Sequence, residues 1–137
     1  MIVFPLRIWS PNSVRGVSKW AAAEWRDKHR KQKMKTFLEL RQKSEDPEVK
    51  AAMRALLEDG LIVCLTRFAP SEGLDSDNLQ GAFKWVRDGV AAALGVPNDN
   101  DSRYTWTYQQ FRSARADYKV GVTLIPIWFA SGATTGE

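Results

Sequence analysis

The chain has 137 residues, 44% of them hydrophobic, six Trp among them, and a formal net charge of +4. That length suits one domain with a modest core, and no apolar run is long enough to span a membrane. A single cysteine, Cys64, excludes a disulfide framework or a cysteine metal cluster, and a single histidine argues against a His-based triad or zinc site.

In chain order, Ile2–Trp9 reads as a first strand, broken by the Ser-Pro-Asn-Ser stretch at 10–13. It lacks a basic region ahead of its apolar residues and a small-residue cleavage site, so it is not a signal peptide, and a reducing cytoplasm is the expected location. From Ser18, a suitable N-cap, to about Arg41 no Gly or Pro interrupts, and the apolar positions Trp20, Ala23, Met34, Phe37 and Leu38 fit a long helix. Asp46-Pro47 then opens a second helix, PEVKAAMRALLED, which should stop at Gly60. The run GLIVCLTRFA, rich in β-branched residues, reads as a central strand, and Cys64 inside it as an inert thiol. Asp77 to about Leu94 is expected as one helix ending at Gly95, with Pro97 just beyond. SRYTWTYQQF alternates Tyr104, Trp106 and Tyr108 on one face, and VGVTLIPIWF makes a last strand. Together these predict an α/β (α+β) fold, one domain over residues 1–130 with a mixed sheet in the order β-α-α-β-α-β-β, and a polar tail at 131–137.

Charge is unevenly placed. Residues 1–43 hold 11 Lys/Arg against 3 Asp/Glu, and residues 72–101 hold 2 against 6. The basic segment, with Arg15, Lys19, Arg26, Lys28, Arg30, Lys31, Lys33 and Lys35, is either a solvated helix face or a surface for nucleic-acid phosphates; Trp20 and Trp25 beside it favour the second. His29 among these cations reads as a surface or phosphate-contacting group.

The acidic segment, LDSDNLQGAFKWVRD followed by NDND, also has two readings. Asp75 or Asp77 can cap a helix, but capping requires only one of them and leaves Asp99, Asp101 and Lys84 unexplained. On one continuous helix, Asp77, Gly81, Lys84 and Asp88 would share a stripe about 60° wide. Carboxylates at Asp75, Asp77 and Asp101 converging on a divalent cation, with Lys84 near the phosphate, would suit phosphodiester hydrolysis. No Gly-rich phosphate loop ending in Lys-Ser/Thr and no GxGxxG after a strand is present.

Asp75-x-Asp77-Asn78-Leu79, a helix with Lys84-x-x-x-Asp88, and an acidic pair before a strand resemble the RusA family of Holliday junction resolvases. Pro11-Asn12-Ser13 after the first strand is similar to that family's loop. The resemblance implies a homodimeric, Mg²⁺-dependent (or Mn²⁺-dependent) endonuclease that cuts four-way DNA junctions in a bacterial or phage-infected cell. Its metal-binding aspartates would fall on Asp75, Asp77 and Asp101, with Asp99 as the near alternative, and its active-site lysine on Lys84. Asn78 and Asp88 would support these groups. Lys84 stands three residues beyond the family's spacing, and the acidic pair is spread as Asp99-Asn100-Asp101. Two other readings remain: a RusA-like protein that binds nucleic acid without cutting it, and a Mg²⁺-dependent hydrolase of small phosphorylated molecules, which the basic helix disfavours.

Overall fold

The computed structural model describes residues 1–9, 19–71 and 73–129, with side chains in the first helix from residue 23 onward. The expected loop at Pro11-Asn12-Ser13, the Ser18 cap and the tail at 131–137 lie outside the described residues. Eight elements follow in order: β1 (Ile2–Pro5), α1 (Lys19–Gln42), α2 (Pro47–Glu58), β2 (Leu61–Ala69), α3 (Ser76–Ala82), α4 (Lys84–Leu94), β3 (Tyr104–Arg112) and β4 (Lys119–Pro126). The four strands form one mixed sheet in the order β1-β4-β2-β3. β2 and β3 are parallel, as a crossover through α3 and α4 permits, and β4 runs antiparallel to both β1 and β2.

Side-chain alternation decides which face of the sheet is covered. Leu61, Val63 and Leu65 of β2 and Val120, Val122 and Leu124 of β4 point to one face and pack with Leu40, Leu56, Phe83, Val86 and Val90 from the helices. On the other face Ile62, Cys64 and Phe68 are only half-buried. The fold is therefore two-layered, with helices over one side.

α2 starts as its residues demand: Asp46 accepts a hydrogen bond from the Glu48 backbone N–H, and Pro47 fills the first helical position. α4 ends at Gly95, whose φ of 86° is the left-handed conformation that closes a helix without Cβ strain. α1 crosses α4 at Gly89, where an added Cβ would lie 2.7 Å from the Lys33 carbonyl oxygen.

Three expectations are corrected. The helix over 77–94 is two helices, because Phe83 takes φ −90° and ψ 1° and turns its fully buried ring into the core against Tyr108. That break cancels the continuous Asp77–Gly81–Lys84–Asp88 stripe. β1 ends at Pro5 rather than Trp9, and β4 ends at Pro126, where proline has no N–H to carry the ladder onward.

Candidate functional site

One end of the sheet collects cations. β1 and β4 pair at Pro5 with Lys119, β2 and β4 at Phe68 with Lys119, and β2 and β3 at Ala69 with Arg112. The carboxyl ends of β1, β2 and β3 and the start of β4 thus share one edge, bearing Arg7, Arg67, Arg112 and Lys119. Lys119 is paired with Asp117 at 3.3 Å. Arg7 is stacked between Trp9 and Tyr118, at 3.9 and 4.4 Å from the ring centres.

Arg67 is the unusual member. It continues the inward row of Leu61, Val63 and Leu65 and is only 8% exposed. Its Nη1 donates to Gln110 Oε1 (3.3 Å) and its Nη2 to Ser71 Oγ (3.1 Å), and no carboxylate pairs with it among the described residues. Burial lowers its pKa; Tyr118 works against that shift and neighbouring Arg7 adds to it. Gln110 also binds the backbone of Leu74 twice, accepting from its N–H (2.9 Å) and donating to its carbonyl (2.6 Å). A cavity of about 300 Å³ opens here, lined by Arg67, Ser71, Gly73, Gln110, Phe111 and Arg112. The clamp on Leu74 holds the following residue, Asp75, at the same end of the sheet.

The predicted acidic residues divide into three places. Asp75 caps α3: its Oδ1 accepts from the Asn78 N–H (2.9 Å) and its Oδ2 from the Asn78 side-chain amide (3.2 Å). Asp77 lies exposed in the first turn of α3. Asp99 is buried, and its carboxylate receives Lys84 Nζ and Arg87 Nε, each at 3.2 Å. Lys84 also reaches Asp88 at 3.2 Å. Burial would lower the Lys84 pKa, but hydrogen bonds to Asp88 and Asp99 outweigh it and raise it. Arg87 completes the cluster by donating to Tyr108 Oη (3.1 Å) and to the Gln80 carbonyl (2.6 Å), the acceptor beside the helix break.

Asp101 stands elsewhere. Both of its oxygens accept from Arg103, at 2.9 Å, and Arg103 holds its carboxyl down to about 2. Arg103 Nη1 also donates to the Leu56 carbonyl near the end of α2, and its own carbonyl accepts from Leu61 N–H at the start of β2. Asp101 therefore precedes β3, whereas Asp75 is anchored to Gln110 near the far end of that strand. The six residue steps of β3 from Tyr104 to Gln110 separate the two by roughly 20 Å. Asp75, Asp77 and Asp101 do not converge. Among the described residues no group of three or more His, Cys, Asp or Glu side chains is close enough to hold a metal. Asp75 and Asp77 share the start of α3, whereas a set that includes Asp101 does not fit a single divalent cation.

The α1 cations lie on two sides of the helix, Lys28, Lys31 and Lys35 on one and Arg30 and Lys33 on the other, beside Met34 and Ala92. Arg26, Lys28, Arg30, Lys31 and Lys33 are exposed, and Lys35 is half-buried. Lys31 and Lys35 make pairs one turn along with Asp27 and Glu39. Lys28, Lys31 and Lys35 border a groove with Arg7 and Trp9, which brings this side of α1 up to the cationic sheet end. Arg15 and the side chains of Lys19 and Trp20 fall outside the described residues. His29 is half-buried between Trp25 and Trp85, with ring centres 4.2 and 5.0 Å away, and burial lowers its pKa to about 4.

Sequence reading missed Arg67, Gln110, Ser71, Arg112 and Arg87. A signal for the first was present: a lone cation in an apolar strand, on the inward parity of Leu61, Val63 and Leu65. No family model, curated protein or solved structure matches the chain.

Proposed function

We propose that this protein binds DNA through its phosphate backbone and is a RusA-like, Mg²⁺-dependent, structure-selective endonuclease acting on four-way junctions as a homodimer. One observation carries the reading: the Asp75–Asp77 turn is tied through Leu74 and Gln110 to Arg67 at the cationic sheet end. Carboxylates beside a cationic phosphate surface are the combination that metal-assisted phosphodiester hydrolysis needs. The chemistry supplied by a bound Mg²⁺ (or Mn²⁺) is activation of water and stabilisation of the leaving oxygen. Asp75 and Asp77 would hold it, while the α1 cations and Arg7 bind and orient the duplex arms. A two-fold symmetric dimer suits a junction with two equivalent scissile positions.

A second reading, a RusA-like protein that binds DNA without cutting, is favoured by the ion pairs of Lys84, Asp99 and Asp101. A labelled four-way junction, a linear duplex and a single strand, each with Mg²⁺ or EDTA, separate the two. Symmetric nicks in the junction alone, dependent on Mg²⁺ and lost in Asp77→Asn with DNA binding retained, support the nuclease. Tight binding with no cleavage under any condition selects the second reading. DNA binding by α1 has its own signature: replacing Arg30, Lys31 and Lys33 by Ala should reduce the log–log salt slope by about 0.9 for each phosphate no longer neutralised.

A further inference from the structure

We propose that the cavity between Arg67, Ser71, Gln110 and Arg112, at the carboxyl ends of β2 and β3, is a binding pocket for a phosphate group. A guanidinium this deeply placed is costly without a counter-charge, and its partners are two neutral oxygens. Those two bonds leave donors of the planar fork unused. Arg112, two residues beyond Gln110 on β3, also lines the cavity; its Nε holds the Pro70 carbonyl at 3.2 Å and its two Nη groups have no partner among the described residues. Ser71 adds a hydroxyl able to donate to an anion. The Arg7 guanidinium nearby deepens the positive potential rather than relieving it.

Alternative explanations for Arg67 are weaker. A packing role would be met by an apolar side chain, which the inward row of β2 otherwise uses. An internal ion pair is absent among the described residues. The location also follows a general rule for ligands, which bind beyond the carboxyl ends of parallel strands. Two arginines from adjacent strands suit a tetrahedral phosphate better than a planar carboxylate, which one bidentate arginine satisfies. A cavity of about 300 Å³ accommodates the group with part of whatever carries it.

The phosphate could belong to a DNA backbone or to a terminal phosphomonoester. The proposal rests on the preceding reading only for the first source, and titration with inorganic phosphate is decided without any DNA present. Phosphate should bind saturably against chloride at constant ionic strength, shifting the side-chain Nε–Hε resonances of Arg67 and Arg112 and raising the melting temperature. Arg112→Ala, exposed and harmless to the core, should weaken binding at least ten-fold, and Ser71→Ala several-fold. Arg54→Ala, on the outer face of α2, should change nothing. Arg67→Gln, where folded, should abolish binding. Unphosphorylated duplex competing with inorganic phosphate assigns the site to backbone phosphodiesters; competition only by 5′-phosphorylated strands assigns it to monoesters. Equal responses to phosphate and chloride overturn the proposal, as does wild-type phosphate affinity in Arg112→Ala.

Discussion

Two cationic sites in this molecule are handled in opposite ways. At the α4 site, Lys84 and Arg87 meet Asp99, with Asp88 alongside, so charge is balanced within the chain. At the end of β2, Arg67 is more deeply buried than either of those cations and, among the described residues, meets only Gln110 and Ser71. A balanced cluster has what it needs to hold a fold together, here the loop after α4 against the α3–α4 break. An unbalanced one has capacity left for a ligand. Position in the sequence does not separate them; topology does.

The largest expected effect comes from unbalancing the first site. Asp99→Ala removes the carboxylate that Lys84 and Arg87 share, leaving Lys84 with Asp88 alone and Arg87 Nε without its acceptor. Because Lys84 is nearly half exposed, water screens part of the loss, and the cost should be about 1–3 kcal/mol rather than that of a fully buried pair. Urea unfolding of this variant should show a correspondingly lower midpoint. Wild-type stability would mean that the cluster is not structural and that Asp99 is available for chemistry.

Arg67→Met makes the converse change. Removing a charge without a counter-ion should raise the unfolding free energy or leave it within about 1 kcal/mol, while phosphate binding disappears. The pair of variants therefore crosses: one loses stability, the other loses ligand. A destabilisation of Arg67→Met as large as that of Asp99→Ala would erase the distinction between the two sites.

Much of the scaffold behind these sites is legible in the sequence. Asp46-Pro47, the β-branched run of β2, the alternation of β3 and the Gly95 stop are local signals, and each stands where local chemistry puts it. The break at Phe83 is not local. It follows from burying that ring against Tyr108, 25 residues on, and Gly81 alone is too weak a cue. The grouping of acidic residues fails for the same kind of reason. Asp75, Asp77 and Asp101 are near in sequence, but a parallel crossover sends its two flanks to opposite ends of the sheet, while Asp99 is drawn between them onto Lys84 and Arg87. Charge counting locates the α1 surface because a long exposed helix displays its composition directly. It passes over Arg67 because one cation in an apolar run changes no total.

A third way of treating a buried base is to keep it neutral, and His29 does so between Trp25 and Trp85. Its pKa is lowered by burial from 6.5 to about 4, so the unfolded chain binds the proton more readily. Stability is then fully present above about pH 6.5 and is lost progressively as pH falls through 4. Because the ring is partly exposed, the loss should be about 1 kcal/mol, below the full value that such a shift implies. His29→Phe should remove this component of the pH dependence from unfolding curves taken between pH 4 and 7. An unchanged curve would show that the seam between α1 and α4 does not depend on a neutral ring.

The smallest effect is expected at the other end of the sheet, and it decides most about the carboxylates. Asp101 is held by Arg103, which lowers its carboxyl to about 2, and the pair sits in solvent. An exposed pair of this kind contributes little, since water competes for both partners and salt screens them. What it contributes is present above the ordinary carboxylate range and is lost only as pH falls through about 2. Asp101→Asn should therefore leave the melting temperature, DNA affinity and any Mg²⁺-dependent cleavage unchanged. Asp77→Asn should differ from it in cleavage alone, because Asp77 lies beside the cationic end and Asp101 does not. If Asp101→Asn abolished cleavage while the fold and DNA binding persisted, Asp101 would have to reach Asp75 in the active assembly. Within one chain roughly 20 Å of strand separates them, so a second copy would have to supply it. Mixing Asp77→Asn with Asp101→Asn protein would then test that directly, since only a shared site could recover activity in the mixed dimer.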